Sequence, residues 1–118
     1  SSLGIANRTR SKAEELAASV NDRVGKAVAY ATDANPTSGQ LVINSTSLGL
    51  NASDPFPLDP NFLDASMLVA EVIAKPEKTA LLFEAERRGA LIHSGIHMVH
   101  NQVGEIAKHL SANLPTTD

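Results

Sequence analysis

The sequence predicts an α/β protein, a parallel sheet with flanking helices. Three observations carry that expectation. Short apolar runs of strand length alternate with segments whose apolar residues recur at helical spacing, the signature of repeated strand–helix–strand units. Leu41-Val42-Ile43-Asn44 is apolar without alternation, as expected of a parallel strand covered on both faces. Pro76 and Gly89 bracket a helical segment in the proline-first, glycine-after order.

In chain order, residues 3–6 read as the opening strand, running into the basic turn Asn7-Arg8-Thr9-Arg10-Ser11-Lys12. Ser11 and Glu14 have the spacing of a capping box, so a helix should start at Ser11. Ala13, Leu16, Ala17 and Val20 form its narrow apolar face, and Asn21-Asp22 should end it. Residues 27–31 read as a short strand, and 32–40, with Pro36 and Gly39, as a connection with room for one irregular helical turn. After the 41–44 strand, Ser45-Thr46-Ser47-Leu48-Gly49 places hydroxyls and a glycine at the strand's C-terminal end, and a loop through Pro55, Pro57 and Pro60 is too proline-rich for regular structure. Residues 67–73 form the next strand, where the carboxylate of Glu71 must find a partner or emerge at the end. A helix over 76–88, a strand over 90–93, a turn at Ser94-Gly95 and a helix over 96–110 follow. Residues 114–118 read as a frayed tail.

Composition narrows the function. The 118 residues suffice for one modest domain, and with 3% aromatic residues and no Trp its core must be aliphatic. A net charge of −3 argues against non-specific nucleic-acid binding. No cysteine is present, so disulfide and thiolate chemistry are excluded and a reducing, cytoplasmic setting is the natural expectation. No apolar run approaches the roughly 20 residues of a membrane helix. The opening Ser1-Ser2 lacks an initiator Met and a charged leader, so the chain reads as the middle of something longer.

The chemistry concentrates at the first strand's end. Strand ends and helix starts gather ligands in parallel α/β folds, because helix N-termini offer unpaired N–H groups and a partial positive charge. In dinucleotide sites an Asp or Glu near the second strand's end accepts hydrogen bonds from the ribose 2′-hydroxyl. Here no carboxylate follows Ile5 until Glu14. Asn7, Arg8 and Thr9 offer donors instead, and with Arg10 and Lys12 they suit a 2′-phosphate, hence NADP rather than NAD. The plain alternative is a solvated basic turn. No Gly-x-Gly-x-x-Gly loop occurs in the chain.

Three separated motifs together resemble the nicotinamide-binding half of shikimate dehydrogenases and shikimate-dehydrogenase-like proteins, over nearly the whole chain. Asn7-Arg8-Thr9 with Ser11-Lys12-Ala13 is similar to the family's Asn-Arg-Thr turn. Asn44-Ser45-Thr46-Ser47-Leu48-Gly49 resembles its Asn-x-Thr-Ser-x-Gly loop. Pro76, Thr79, Leu81-Leu82, Ala85 and Gly89, then Gly95, Met98 and Gln102, follow its C-terminal pattern in order and spacing. The resemblance implies a Rossmann-like domain in which Asn7, Arg8, Thr9 and Lys12 contact the NADP phosphate. By the same resemblance Thr46 and Ser47 line the cofactor cleft, Val72 and Gly95 approach the nicotinamide through backbone atoms, and Gln102 bonds the hydroxyls of a shikimate-like substrate. Hydride transfer would then serve aromatic amino acid biosynthesis, with the proton handled by a Lys–Asp pair of the family's N-terminal substrate domain.

That pair has no counterpart here, so residues 1–118 read as a partial NADP-binding domain, inactive alone, whose helix at about 96–111 would pack toward a substrate domain upstream. The first strand and the glycine-rich loop are missing as well. In the strand order 3-2-1-4-5-6 that strand is central, so the 3–6 and 41–44 strands each lose a neighbour. Either upstream residues supply it, or the gap closes by pairing those two strands or borrowing one from another chain. Ala74 stands where the family usually has Tyr, Glu71 where it has Asp, and Leu50 where Met is common. The missing phenol removes a substrate hydrogen bond, which makes a quinate-using relative or a non-catalytic nucleotide-binding or regulatory module the alternatives. His93, His97 and His100 do not read as metal ligands, because His93 sits at a strand end and a glycine turn separates it from the others; His97 and His100 read as flanking Met98 at the cleft rim.

Overall fold

The computed structural model describes residues 1–113; the expected tail at 114–118 lies outside them. Element order is β1 (Leu3–Ile5), α1 (Arg10–Val24), β2 (Ala29–Ala31), β3 (Leu41–Asn44), a 3₁₀ turn (Pro60–Phe62), β4 (Leu68–Glu71), α2 (Ala80–Arg87), β5 (Leu91–His93) and α3 (Ile96–Asn113). Every ladder is parallel, but the strands form two sheets, β1-β2 and β3-β4-β5. The gap is therefore not closed by pairing β1 with β3: the ladder of β1 runs to β2 and that of β3 to β4.

The chain divides into two compact units, the first being Ser1–Pro36. In it α1 packs on the β1-β2 pair through the buried Ala13 and Ala17. Leu16, expected on that face, is 53% exposed. Small side chains let the helix backbone approach a two-stranded ribbon too narrow to cover a leucine stripe. The helix starts at Arg10, so Ser11 lies inside it and the capping box does not form; Thr9 is the N-cap. The helix also runs beyond Asn21-Asp22 to Val24, where Gly25, at φ 76°, takes the left-handed conformation and donates its N–H to Asn21 O at 2.8 Å. Asn21 faces the sheet instead of ending the helix. Its Oδ1 accepts from the Val28 and Ala29 N–H groups, both at 2.8 Å, and its Nδ2 donates to Ala29 O at 2.9 Å. An amide side chain thus supplies β2 with strand-like hydrogen bonds.

The second unit begins at Thr37. Its core joins Leu63, Met67, Val69, Leu81, Leu82, Ala85 and Ala90, with Val42 and Ile92 packed against it. Register explains this composition. Val42, Val69 and Ile92 align across the three strands on the face toward α2, while Leu41, Leu68 and Leu91 align on the other. Leu41, Ile43 and Leu91 are exposed, so β3 is not covered on both faces as its apolar run suggested. Residues 32–40 contain no helical turn; a turn at Thr37–Gln40 leads into β3. Asp64 ties that turn to the entry of β4 by accepting from Ser38 Oγ at 2.5 Å and from the Ser66 N–H at 2.8 Å, and these bonds hold its carboxyl below the usual range.

Two further expectations change. The proline-rich loop does contain regular structure, because Asp59 accepts the Asn61 N–H at 2.9 Å ahead of Pro60 and caps the 3₁₀ turn. The second helix begins at Ala80 rather than Pro76. Thr79 is its N-cap, with Oγ1 accepting from Leu82 N at 3.3 Å, and the Lys75–Pro76 peptide is cis. Residues 75–78 form bends before the helix, where the Glu77 carbonyl accepts from Ser94 Oγ at 2.6 Å.

Candidate functional site

In the first unit, Asn7, Arg8, Thr9 and Lys12 lie together where β1 passes into α1. Asn7 Oδ1 accepts from the Thr9 N–H at 2.8 Å, a local bond that folds the turn back on itself. Thr9 makes no side-chain cap bond, and no acidic residue occupies the first turn of α1. Lys12 N and Ala13 N reach Thr9 O at 3.0 and 3.4 Å. The three basic side chains then separate by role. Arg10 is tied inward, donating to Asp33 Oδ1 and Ala31 O, both at 3.4 Å, with Glu14 at 3.7 Å. Arg8 and Lys12 are exposed and join no ion pair among the described residues. Two cations without an ion-pair partner among the described residues thus stand at a helix start whose N-cap, Thr9, makes no side-chain cap bond, the kind of place where anions are held.

In the second unit, Thr46, Ser47, Val72 and Gly95 come from the loop after β3, the end of β4 and the start of α3. Gly95 is buried, and a Cβ on it would lie 2.6 Å from the carbonyl carbons of Val72 and Ile73. Only glycine permits that backbone approach, so Val72 and Gly95 stand side by side. Val72 N–H donates to Asn44 O at 3.1 Å, which joins the same place to the loop after β3. Ser47 is exposed there. Thr46 is more committed than its motif suggests: its hydroxyl donates to Asn44 Oδ1 at 2.7 Å and accepts the Leu48 N–H at 3.1 Å. Gln102 lies farther along α3 and is exposed, its side chain making no hydrogen bond to another described residue. The structure does not bring it against Val72 or Gly95.

Reading single residues missed the hub. Asn44 is buried, and its Nδ2 donates to Glu71 Oε1 and Oε2 at 2.9 and 3.1 Å and to Leu48 O at 3.0 Å. Thr79 Oγ1 donates to Glu71 Oε1 at 3.2 Å. The signals were an Asn closing an apolar run and a Thr three positions before Leu82. Glu71, 3% exposed, is thus the partnered carboxylate its place in a strand demands. Burial pushes its carboxyl up, against hydrogen bonds from Asn44, Thr79 and the Ile73 backbone that favour the ionised form.

Two other features stand apart. The rings of His93 and His97 stack at 4.7 Å between centroids, and no group of three or more metal-ligating side chains forms among the described residues. A hollow of about 270 Å³ between the 48–57 loop and the start of α2 is lined mainly by Leu48, Pro55, Phe56, Leu81 and Phe83. None of the expected site residues borders it.

No family model matches the chain. The shikimate dehydrogenase (NADP(+)) of Methylobacterium radiotolerans is 39% identical over 100 residues, covering 83% of this chain and 35% of that protein. The structure of quinate dehydrogenase from Corynebacterium glutamicum in complex with NAD superposes with a TM-score of 0.75 at 27% identity, covering 83% of this chain and 36% of that one. Ligand-free 5-ketofructose reductase of Gluconobacter sp. strain CHM43 gives 0.70 at 32% identity, covering 84% and 38%. The chain spans little more than a third of each of these relatives.

Proposed function

We propose, from the premise that this chain is a relative of the shikimate dehydrogenases over most of its own length, that it is the cofactor-holding part of an NADP-dependent oxidoreductase acting on shikimate or a related alicyclic hydroxy acid. The observation that carries this reading is the corner at Asn7–Lys12, where Arg10 is paired while Arg8 and Lys12 join no ion pair among the described residues. Arg8 and Lys12 would give the charge that a 2′-phosphate needs. Asn7 shapes the turn through Thr9, and the positive end of α1 would add to the charge there. When bound, NADP supplies the hydride acceptor. Val72 and Gly95 would present backbone to its nicotinamide end, Thr46 and Ser47 would border the cleft, and Gln102 would hold substrate hydroxyls. The proton-handling Lys–Asp pair implied by the family is not among these residues, so the 118 residues alone should not turn over shikimate.

Ala74 widens the substrate question, as do the likenesses to a quinate dehydrogenase and a 5-ketofructose reductase. All three compounds belong on one panel. The test of the cofactor is calorimetric titration of the natural full-length protein with NADPH and NADH at matched salt, wild type and Arg8→Ala. NADPH should bind more tightly, and the variant should lose about tenfold, near 1.4 kcal/mol, toward the NADH value. Equal binding of both nucleotides, or of neither, would overturn the reading. NADPH binding without turnover on the panel would favour a nucleotide-binding module instead.

A further inference from the structure

The buried carboxylate of Glu71 has no cationic partner among the described residues; its partners are neutral donors. That choice has a geometric effect. An acceptor-only group opposite Asn44 forces the amide NH₂ toward it and turns Asn44 Oδ1 the other way. Oδ1 there accepts the Thr46 N–H at 3.0 Å and the Thr46 hydroxyl at 2.7 Å, while the same Nδ2 reaches Leu48 O. Thr46 Oγ1 in turn accepts the Leu48 N–H. One carboxylate therefore selects the orientation of one amide, and that amide dictates the path of the loop from Ser45 to Gly49. If filling the end of β4 were the only requirement, an apolar residue would serve as well. Thr79, bonded to the same carboxylate, ties it to the start of α2.

We propose that Glu71 is a positioning residue: acting through Asn44, it holds the Ser45–Gly49 loop in the shape that binds the nicotinamide dinucleotide. The proposal rests on the functional reading above. It is tested by titrating NADPH into the natural full-length protein and its Glu71→Gln, Glu71→Asp and Thr46→Val variants, with amide exchange followed at Thr46 and Leu48. Glu71→Gln places a donor group against Asn44 and should weaken NADPH about tenfold while speeding exchange at both amides. Glu71→Asp keeps the acceptor and should recover most of both. Thr46→Val, at an exposed position, removes the last link and should weaken NADPH several-fold even where Glu71→Gln does not fold. Wild-type affinity in either Glu71→Gln or Thr46→Val, or wild-type exchange in Glu71→Gln, would overturn the proposal. A wild-type protein that binds neither nucleotide would overturn the functional reading first, and its own titration reports that separately.

Discussion

At Gly95 a single missing side chain lets two backbones meet. A methyl group there would press on the carbonyl carbons of Val72 and Ile73 at 2.6 Å, and backbone on both sides gives it no flexible neighbour to displace. Gly95→Ala should therefore lower stability by about 1–3 kcal/mol and weaken NADPH more than a solvent-face substitution on α3, as denaturant titration and calorimetry would show. Two glutamates set opposite pH responses. The Glu71 carboxyl is raised from 4.5 chiefly by burial, so the folded state binds its proton more tightly than the unfolded chain does. Its contribution falls as pH rises from 4.5 through the raised value. Glu84 is lowered from 4.5 to about 2 by hydrogen bonds from Arg87 and Arg88. Its contribution is present above 4.5 and lost as pH falls toward 2. Denaturant midpoints measured against pH should lose slope on the acid side in Glu84→Gln and on the other side in Glu71→Gln.

Elements show where local pattern is sufficient and where it is not. Among the described residues, apolar runs located the five strands and helical spacing the three helices, because those periodicities arise within a few residues. Boundaries moved wherever a side chain could serve in two ways. Ser11 and Glu14 have capping-box spacing, yet Thr9 precedes the helix and places both inside it. Pro76 suits a first helical position, but Thr79 reaches Leu82 N and starts the helix there. Asn21 looked like a terminator and proved to be the clasp between α1 and β2. Asn21→Ala would remove the side-chain acceptor of the Ala29 N–H and leave Val28 N–H with the Lys26 carbonyl as its remaining partner, at about 1–3 kcal/mol. Faster amide exchange at those two residues, with the β3-β4-β5 core unchanged, is the expected readout.

For the whole molecule, ligand linkage offers the broadest check. At 100 times its Kd, NADPH should stabilise the full-length protein by about 2.7 kcal/mol, visible as a rise in Tm that NADH at equal concentration does not match. Arg8→Ala should abolish the difference. The candidate site was legible in unequal parts: Asn7, Arg8, Thr9 and Lys12 could be grouped from sequence because they occupy one turn, and Val72 could be joined to Gly95 only through a family pattern. By itself the sequence determined the strand–helix alternation, the parallel α/β class and the basic corner, since each depends on side chains within a turn or two of one another. Only the tertiary structure decided that the strands form two sheets and that one face of β3 stays exposed. It alone showed that Arg10 is paired with Asp33, and that Glu71, Asn44 and Thr79 form one network. Asp33 lies 23 positions from Arg10, and Glu71 lies 27 from Asn44; partners that far apart are chosen by packing and burial, which local spacing does not encode.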